Sequence, residues 1–169
     1  LDDAVFARLY ARTGHQPFLD AHVKVSRRLV ADQRPRGNWI DYGPCHAAAG
    51  LFHPRQTYWW SLPLLESYRL TGDRQYLETV IASGEFLARA MRRDGGFFRG
   101  TYADFGTDRF GHAASGSACA AILFLGLFKA TRESRWLELA QRALRFCMNM
   151  QLLDVKDQNK NMIKNPKGS

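Results

Sequence analysis

A chain of 169 residues, 46% of them apolar and 24% charged, is long enough to bury one substantial core and has the composition of a globular domain rather than a disordered or fibrous chain. No stretch approaches the roughly 18 consecutive apolar residues of a membrane span, so no membrane partner is expected. The formal charge of +8 invites a polyanion, but the arginines are scattered over polar helical positions and no block of roughly five like charges occurs; no nucleic-acid partner is expected.

Taken in order, the chain predicts helices in pairs. The first, roughly Asp2 to Arg12, sets Val5, Phe6, Leu9 and Tyr10 at helical spacing and stops at Thr13-Gly14, where glycine suits the left-handed position past a helix end. The second, from about Pro17 to Ala31, takes Pro17 in its first turn and puts Phe18, His22, Val25 and Leu29 on one side. Arg34-Pro35-Arg36-Gly37-Asn38 ends it. The pattern returns at Trp59 to Leu70, Thr71-Gly72-Asp73 and Gln75 to Met91. It returns again at Ser117 to Ala130, Thr131-Arg132-Glu133 and Arg135 to Met150.

Ser117 to Ala130 has no polar face. Ala118, Ala121, Ile122, Leu125 and Phe128 make one stripe, and Cys119, Leu123, Gly126 and Leu127 the opposite one, which predicts burial on all sides. Arg132 stands where the other units have glycine, so this turn is expected to close differently.

The units superpose. Thr13, Thr71 and Thr131 precede the pairs Phe18-Leu19, Tyr76-Leu77 and Trp136-Leu137, and the aromatic anchors step by 58 and then 60 residues. A helix-turn-helix unit at nearly constant period marks a stacked or closed helical array, and short turns make the helices of each unit antiparallel neighbours. The expected fold class is all-α, with antiparallel helical hairpins across residues 1–153 and a link or tail at 154–169. The long connections, from about Arg34 to Thr57 and from about Arg92 to Ser115, then emerge at one end. Connections longer than about 15 residues are uncommon unless functional or disordered. These are rich in Trp, Tyr, Phe, His, Asp and Arg, not in the residues of disordered tracts, so they are expected to be ordered and to form one surface.

The Thr71-Gly72-Asp73 turn ahead of Tyr76-Leu77, with Asp94-Gly95-Gly96-Phe97 after the second helix of that unit, resembles the α/α-toroid proteins. Within them it is most similar to the six-hairpin glycosidase-like superfamily of unsaturated glucuronyl hydrolases, sugar epimerases and polysaccharide lyase domains. The resemblance covers about Asp2 to Gln151 and rests on packing motifs. It implies a saccharide ligand, held at the end of the toroid where the long links emerge. A complete toroid of that kind has six hairpins against the three read here. The expectation is therefore a partial toroid, either a fragment of a longer protein or a chain that self-associates to cover its apolar edge. The same segment also resembles the repeats of terpenoid cyclase and prenyltransferase toroids, which would imply an aromatic, nearly uncharged cavity.

The two links supply the candidate chemistry. Asp41 and His46 in the first are candidate catalytic residues, because a carboxylate beside an imidazole tunes both toward neutral pH; the structural alternative is a capped turn. Trp59 and Trp60 are adjacent on a helix and point about 100° apart, so one of them reaches a pocket, and Trp59 is the candidate platform for a sugar ring. The second link adds Asp104 and His112 as catalytic candidates. Glycoside hydrolysis needs two carboxyl groups flanking the scissile bond, one protonated and one ionised; Asp104 and Asp108 are close enough in sequence to share a site, and Asp41 is expected to face them across it. Arg99, Tyr102, Asp108 and Arg109 are candidate substrate-binding residues, the guanidinium forks suiting a uronate carboxylate; an exposed Asp108 pair with Arg109 or Arg99 is the alternative.

Other chemistries find little support. His15, His22, His46, His53 and His112 form no HExxH or other tight ligand pattern, so no metal is expected. Gly95-Gly96 is not followed by the Lys-Ser/Thr of a phosphate loop, and no cofactor is expected. Cys45, Cys119 and Cys147 lack disulfide-framework or metal-ligand spacing, and Cys119 and Cys147 fall on apolar helical faces, which points to core packing in a reducing, cytoplasmic setting. The chain opens at Leu1 with no signal-like segment, so export is not read from this end. The expected function is a carbohydrate-active enzyme, whether hydrolase, lyase or epimerase. A non-catalytic helical scaffold binding a glycan or protein partner, and an isoprenoid-handling toroid, are the alternatives.

Overall fold

A computed structural model of the chain describes residues 4–35, 37–39, 51–52, 54–98, 101–102 and 114–151, with side chains described everywhere except at 51–52 and 101–102. Among these residues are six helices: α1 (Val5–Thr13), α2 (Gln16–Asp32), α3 (Pro54–Thr71), α4 (Arg74–Ala90), α5 (Ala114–Thr131) and α6 (Ser134–Asn149). Two short strands, β1 (Leu51–Phe52) and β2 (Thr101–Tyr102), accompany them. The three hairpins anticipated from the repeat are α1–α2, α3–α4 and α5–α6. Helices α1, α3 and α5 stand side by side in one layer. The second layer holds α2, α4 and α6, with α4 joined to α6 by the Glu85–Arg135 ion pair and by Trp136 lying against Gly84.

The threonines close the hairpins identically. Thr13, Thr71 and Thr131 each donate from Oγ1 to the carbonyl four residues back, at 2.8, 2.7 and 2.9 Å. Each also accepts from the backbone N–H two residues on, at 3.2, 3.2 and 3.3 Å. One hydroxyl thereby adds a bond to a carbonyl in the last turn of one helix and satisfies the N–H of the residue at the N-cap of the next. The residue between them is left-handed in all three turns: Gly14 at φ 66°, Gly72 at 73° and Arg132 at 64°. Arg132 also donates its N–H to the Phe128 carbonyl at 2.8 Å, as Gly72 does to Tyr68. The expectation that this turn closes differently is thus corrected. The threonine bracket imposes the geometry, and Arg132 bears the strain that a Cβ meets there, about 1–2 kcal/mol.

A second repeated turn follows each of the first two hairpins. Arg34 donates to the Asn38 carbonyl and Gly37 to Arg34; one repeat later Arg92 donates to Gly96 and Gly95 to Arg92, all between 2.8 and 3.0 Å. Gly37 (φ 90°) and Gly95 (φ 88°) press against the backbone carbonyls of Ala82 in α4 and Arg142 in α6, where a Cβ has no room. Each turn then buries an aromatic, Trp39 at 1% exposure and Phe97 at 0%. Every link is therefore fastened to the second-layer helix of the following hairpin before it crosses to the first layer.

The core lies between the layers. Leu64, Leu123, Phe124, Leu127 and Trp136 are fully buried, each large aliphatic contributing roughly 1.5–3 kcal/mol, and Phe124 stacks on Trp136 with centroids 5.8 Å apart. By length and composition α5 could cross a membrane; here it is packed among α3, α4 and α6. Its burial is not complete, which corrects the expectation from sequence. Leu123 and Leu127 are enclosed, but Ile122 and Leu125 on the other stripe are 47% and 39% exposed, because α5–α6 is the last described hairpin and none of the described residues covers that side. The exposed large hydrophobics of the described residues all lie on the first and third hairpins, whereas the middle hairpin is flanked on both sides.

The inward stripe of α2 is largely polar. It runs His22, Ser26 and Leu29, while Val25, expected on that face, is 38% exposed. His22 Nε2–H donates to the Pro63 carbonyl at 3.1 Å and lies 3.0 Å from Ser67 Oγ, which donates on to Ser26 Oγ at 2.7 Å. Burial lowers the His22 pKa below its ordinary 6.5, against weaker opposing effects from the Pro63 hydrogen bond and the Glu66 charge, so the ring is neutral at pH 7.

Candidate active site

All long links leave from one end of the array, where α2 and α4 finish and α3 and α5 begin. At that end β1 pairs antiparallel with β2, with Leu51 opposite Tyr102 and Phe52 opposite Thr101. The ladder joins the first link to the second, as the expectation of a shared surface requires. The N-termini of α3 and α5 also face this end, where the helix dipole favours anions.

Helix α3 starts earlier than its apolar pattern indicates, at Pro54 rather than near Trp59, with proline taking the first helical position. The additional turn carries Pro54, Gln56 and Thr57 inward, all buried, which is why no hydrophobic period marks it. Arg55 and Trp59 consequently sit one helical turn apart, and the Arg55 guanidinium lies over the Trp59 ring at 4.8 Å, a contact worth about 0.5–1 kcal/mol. The Arg55 charge also reaches Cys119 in α5. Pro63, inside α3, has no N–H to give to the Trp59 carbonyl.

The two adjacent tryptophans divide their roles. Trp60 packs on the core and meets Trp39 edge to face, with centroids 5.6 Å apart and planes at 68°; Trp39 Nε1 in turn donates to the Leu29 carbonyl at 2.8 Å. Trp59 is half-buried and lies outside that core cluster. Of the two, Trp59 is the one not committed to the core cluster, with Arg55 over its ring.

Of the residues predicted for the site, Trp59 is described in full and Tyr102 through its backbone; Asp41, His46, Arg99, Asp104, Asp108, Arg109 and His112 lie outside the described residues. Sequence reasoning overlooked Asn38. It is 1% exposed, and among the described residues neither Oδ1 nor Nδ2 has a hydrogen-bond partner, a costly arrangement for an amide. The signal was the second repeated turn, where Asn38 occupies the position of Gly96. Burial pushes the Cys119 and Cys147 thiols up, consistent with packing rather than nucleophilic use. Among the described residues no group of three or more His, Cys, Asp or Glu could hold a metal.

No protein-family model matches the chain, and no curated protein does. Among solved structures it resembles a glycoside hydrolase family 76 mannosidase, Bt3792 from Bacteroides thetaiotaomicron VPI-5482, with a TM-score of 0.71 at 16% sequence identity. The match covers 95% of this chain and 45% of that one, so the chain spans less than half the length of the structure it resembles. The fold is that of the α/α toroids, represented here by three helical hairpins.

Proposed function

We propose that this chain contributes part of a carbohydrate-active site, and that the reaction is hydrolysis of a glycosidic bond. The observation that carries the reading is the Leu51–Tyr102 ladder, which ties together the two links bearing the candidate carboxylates. Asp41 precedes that ladder on one link, and Asp104 follows Tyr102 by two residues on the other. The likeness to a mannosidase supports a saccharide as ligand, and half-buried Trp59 supplies the flat apolar face on which a sugar ring stacks.

In this reading Asp41 and Asp104 divide the acid and base work of glycoside hydrolysis. One protonates the departing glycosidic oxygen, and the other activates a water or attacks the anomeric carbon. His46 and His112 set the protonation states of the carboxyls, while Arg99, Tyr102, Asp108 and Arg109 hold the substrate, the arginines conferring a preference for sugars that carry a carboxylate. The test is to assay the protein on manno-oligosaccharides and on uronate-containing oligosaccharides before and after Asp104→Asn. Loss of bond cleavage with binding retained supports hydrolysis. Binding without cleavage in the unmodified full polypeptide would instead identify a glycan-binding scaffold.

A further inference from the structure

Positive charge that is scattered along the sequence is gathered by the fold where α4 ends. Arg142, on α6, lies against the turn that follows α4: its Nη2 donates to the Arg92 and Arg93 carbonyls at 3.2 and 3.4 Å, and Gly95 presses on the Arg142 carbonyl. Arg145 stands three residues on, beside Arg142 on the helix surface, and Arg89 lies in the last turn of α4. Arg89, Arg93 and Arg145 are exposed, while Arg92 and Arg142 are half-buried. Little acid balances them. Asp94 pairs with Arg92 at 2.8 Å, and Glu85 and Glu133 are both held by Arg135. Glu138, one turn before Arg142, forms no ion pair among the described residues, and no described carboxylate neutralises Arg93 or Arg145.

The repeat shows that this charge is not a requirement of the turn. Gly37 is seated on Ala82 of α4 as Gly95 is seated on Arg142 of α6, so the positions of Arg142 and Arg145 are taken one repeat earlier by Ala82 and Glu85. The same fastening forms there with no arginine on the second-layer helix. Arg142 has a structural use on its two carbonyls, but the Arg93 and Arg145 side chains have none among the described residues. Like charges held this close repel one another, and a bound anion relieves the repulsion. The patch also adjoins the candidate site: the Arg92 guanidinium lies over the Phe98 ring at 4.9 Å, and Phe98 precedes β2 on the second link.

We propose that Arg93, Arg142 and Arg145 form a subsite for the acidic groups, carboxylate or sulfate, of a polysaccharide engaged at the link end. The proposal rests on the reading of that end as a saccharide site. Guanidinium groups present planar, always-charged donor forks that suit both kinds of anion. The arginines stand on and beside the second-layer helices, outside the links that carry the candidate carboxylates. The ligand they fit is therefore an acidic polymer that extends past the site rather than a short neutral oligosaccharide held within it.

The experiment titrates the protein with polygalacturonate, dextran sulfate, a neutral mannan and a DNA duplex by calorimetry, at an ionic strength of about 0.1 M so that long-range steering is screened. The double variant Arg93→Ala/Arg145→Ala is compared with Arg12→Ala/Arg27→Ala, which removes the same charge from exposed positions on the first hairpin. All four side chains are exposed, so both variants should melt as the parent does. At least one acidic glycan should bind more tightly than mannan, and the first variant should weaken it by about tenfold, the loss of two exposed charge contacts. The control variant should bind it as the parent does; the acidic glycan that loses more names the favoured group. Failure of both acidic glycans to bind overturns the proposal, as do equal losses in the two variants, which would reflect net charge alone. Tighter binding of the DNA duplex with the same dependence on Arg93 and Arg145 also overturns it. Arginine-dependent glycan binding by a protein that cleaves none of these polymers supports the subsite while contradicting hydrolysis, so the two readings fail separately.

Discussion

Trp39 and Trp60 meet edge to face across the junction of the first link and α3, with centroids 5.6 Å apart. The contact fixes Trp60 toward the core and, by the helical step of about 100°, turns Trp59 off the core face. Trp60→Ala should therefore destabilise the fold by on the order of 3 kcal/mol, measured by denaturant unfolding. Trp59→Ala should change stability by no more than about 1 kcal/mol and weaken saccharide binding by about tenfold, equivalent to ~1.4 kcal/mol. The reverse pattern in titration calorimetry and unfolding would mean that the roles have been exchanged.

The left-handed Arg132 offers a direct gain. Nothing about φ 64° favours arginine, so Arg132→Gly should stabilise the protein by about 1 kcal/mol, raising the melting temperature by roughly 2–4 °C. An unchanged or lower melting point would show that the side chain compensates for its backbone.

Glycines that look alike in sequence should respond differently. Gly72 has open space around it, so Gly72→Ala costs only the backbone strain, about 1–2 kcal/mol. Gly37→Ala and Gly95→Ala must also displace the backbone of Ala82 or Arg142, adding an overpacking penalty of about 1–3 kcal/mol. Equal losses at Gly72 and Gly95 would contradict the fastening of the links to α4 and α6.

His22 makes stability depend on pH. Its pKa is ordinarily 6.5 and is lowered in the fold, chiefly by burial, so below 6.5 the unfolded chain binds a proton that the folded chain resists. The stability that neutral His22 contributes is complete above 6.5 and is lost as pH falls from 6.5 through the lowered folded value. His22→Gln, which keeps a neutral donor for the Pro63 carbonyl, should flatten this part of the profile in unfolding experiments between pH 7.5 and 5. An identical slope in the variant would place the titration elsewhere.

The parts of the fold legible in sequence are those fixed by local chemistry. The Thr13, Thr71 and Thr131 brackets and the aromatic anchors Phe18, Tyr76 and Trp136 recur because each unit needs the same hydrogen bonds at its turn. Where a buried face is polar, periodicity misleads: Ser26 rather than Val25 points inward from α2, and Gln56 and Thr57 conceal the start of α3. Arg132 and Gly37 show a different difficulty. The conformation of Arg132 is imposed by its neighbours, and the need for Gly37 comes from Ala82, 45 residues away in sequence. The exposure of Ile122 and Leu125 depends on what lies beside α5, not on α5 itself. At the candidate site, Trp59 is singled out over Trp60 from sequence, but the contact that commits Trp60 to the core, with Trp39, joins residues 21 apart and is visible only in the fold.

The most direct test of the account is the turnover of Asp41→Asn and Asp104→Asn in the full polypeptide, assayed beside the parent on saccharides it cleaves, with melting curves of all three. If the links joined at Leu51 and Tyr102 carry the acid and base, each variant should lose about a hundredfold or more in turnover while melting within about 3 °C of the parent. Turnover within about threefold of the parent in both variants would contradict the account, since a carboxylate that merely pairs with a surface arginine contributes little.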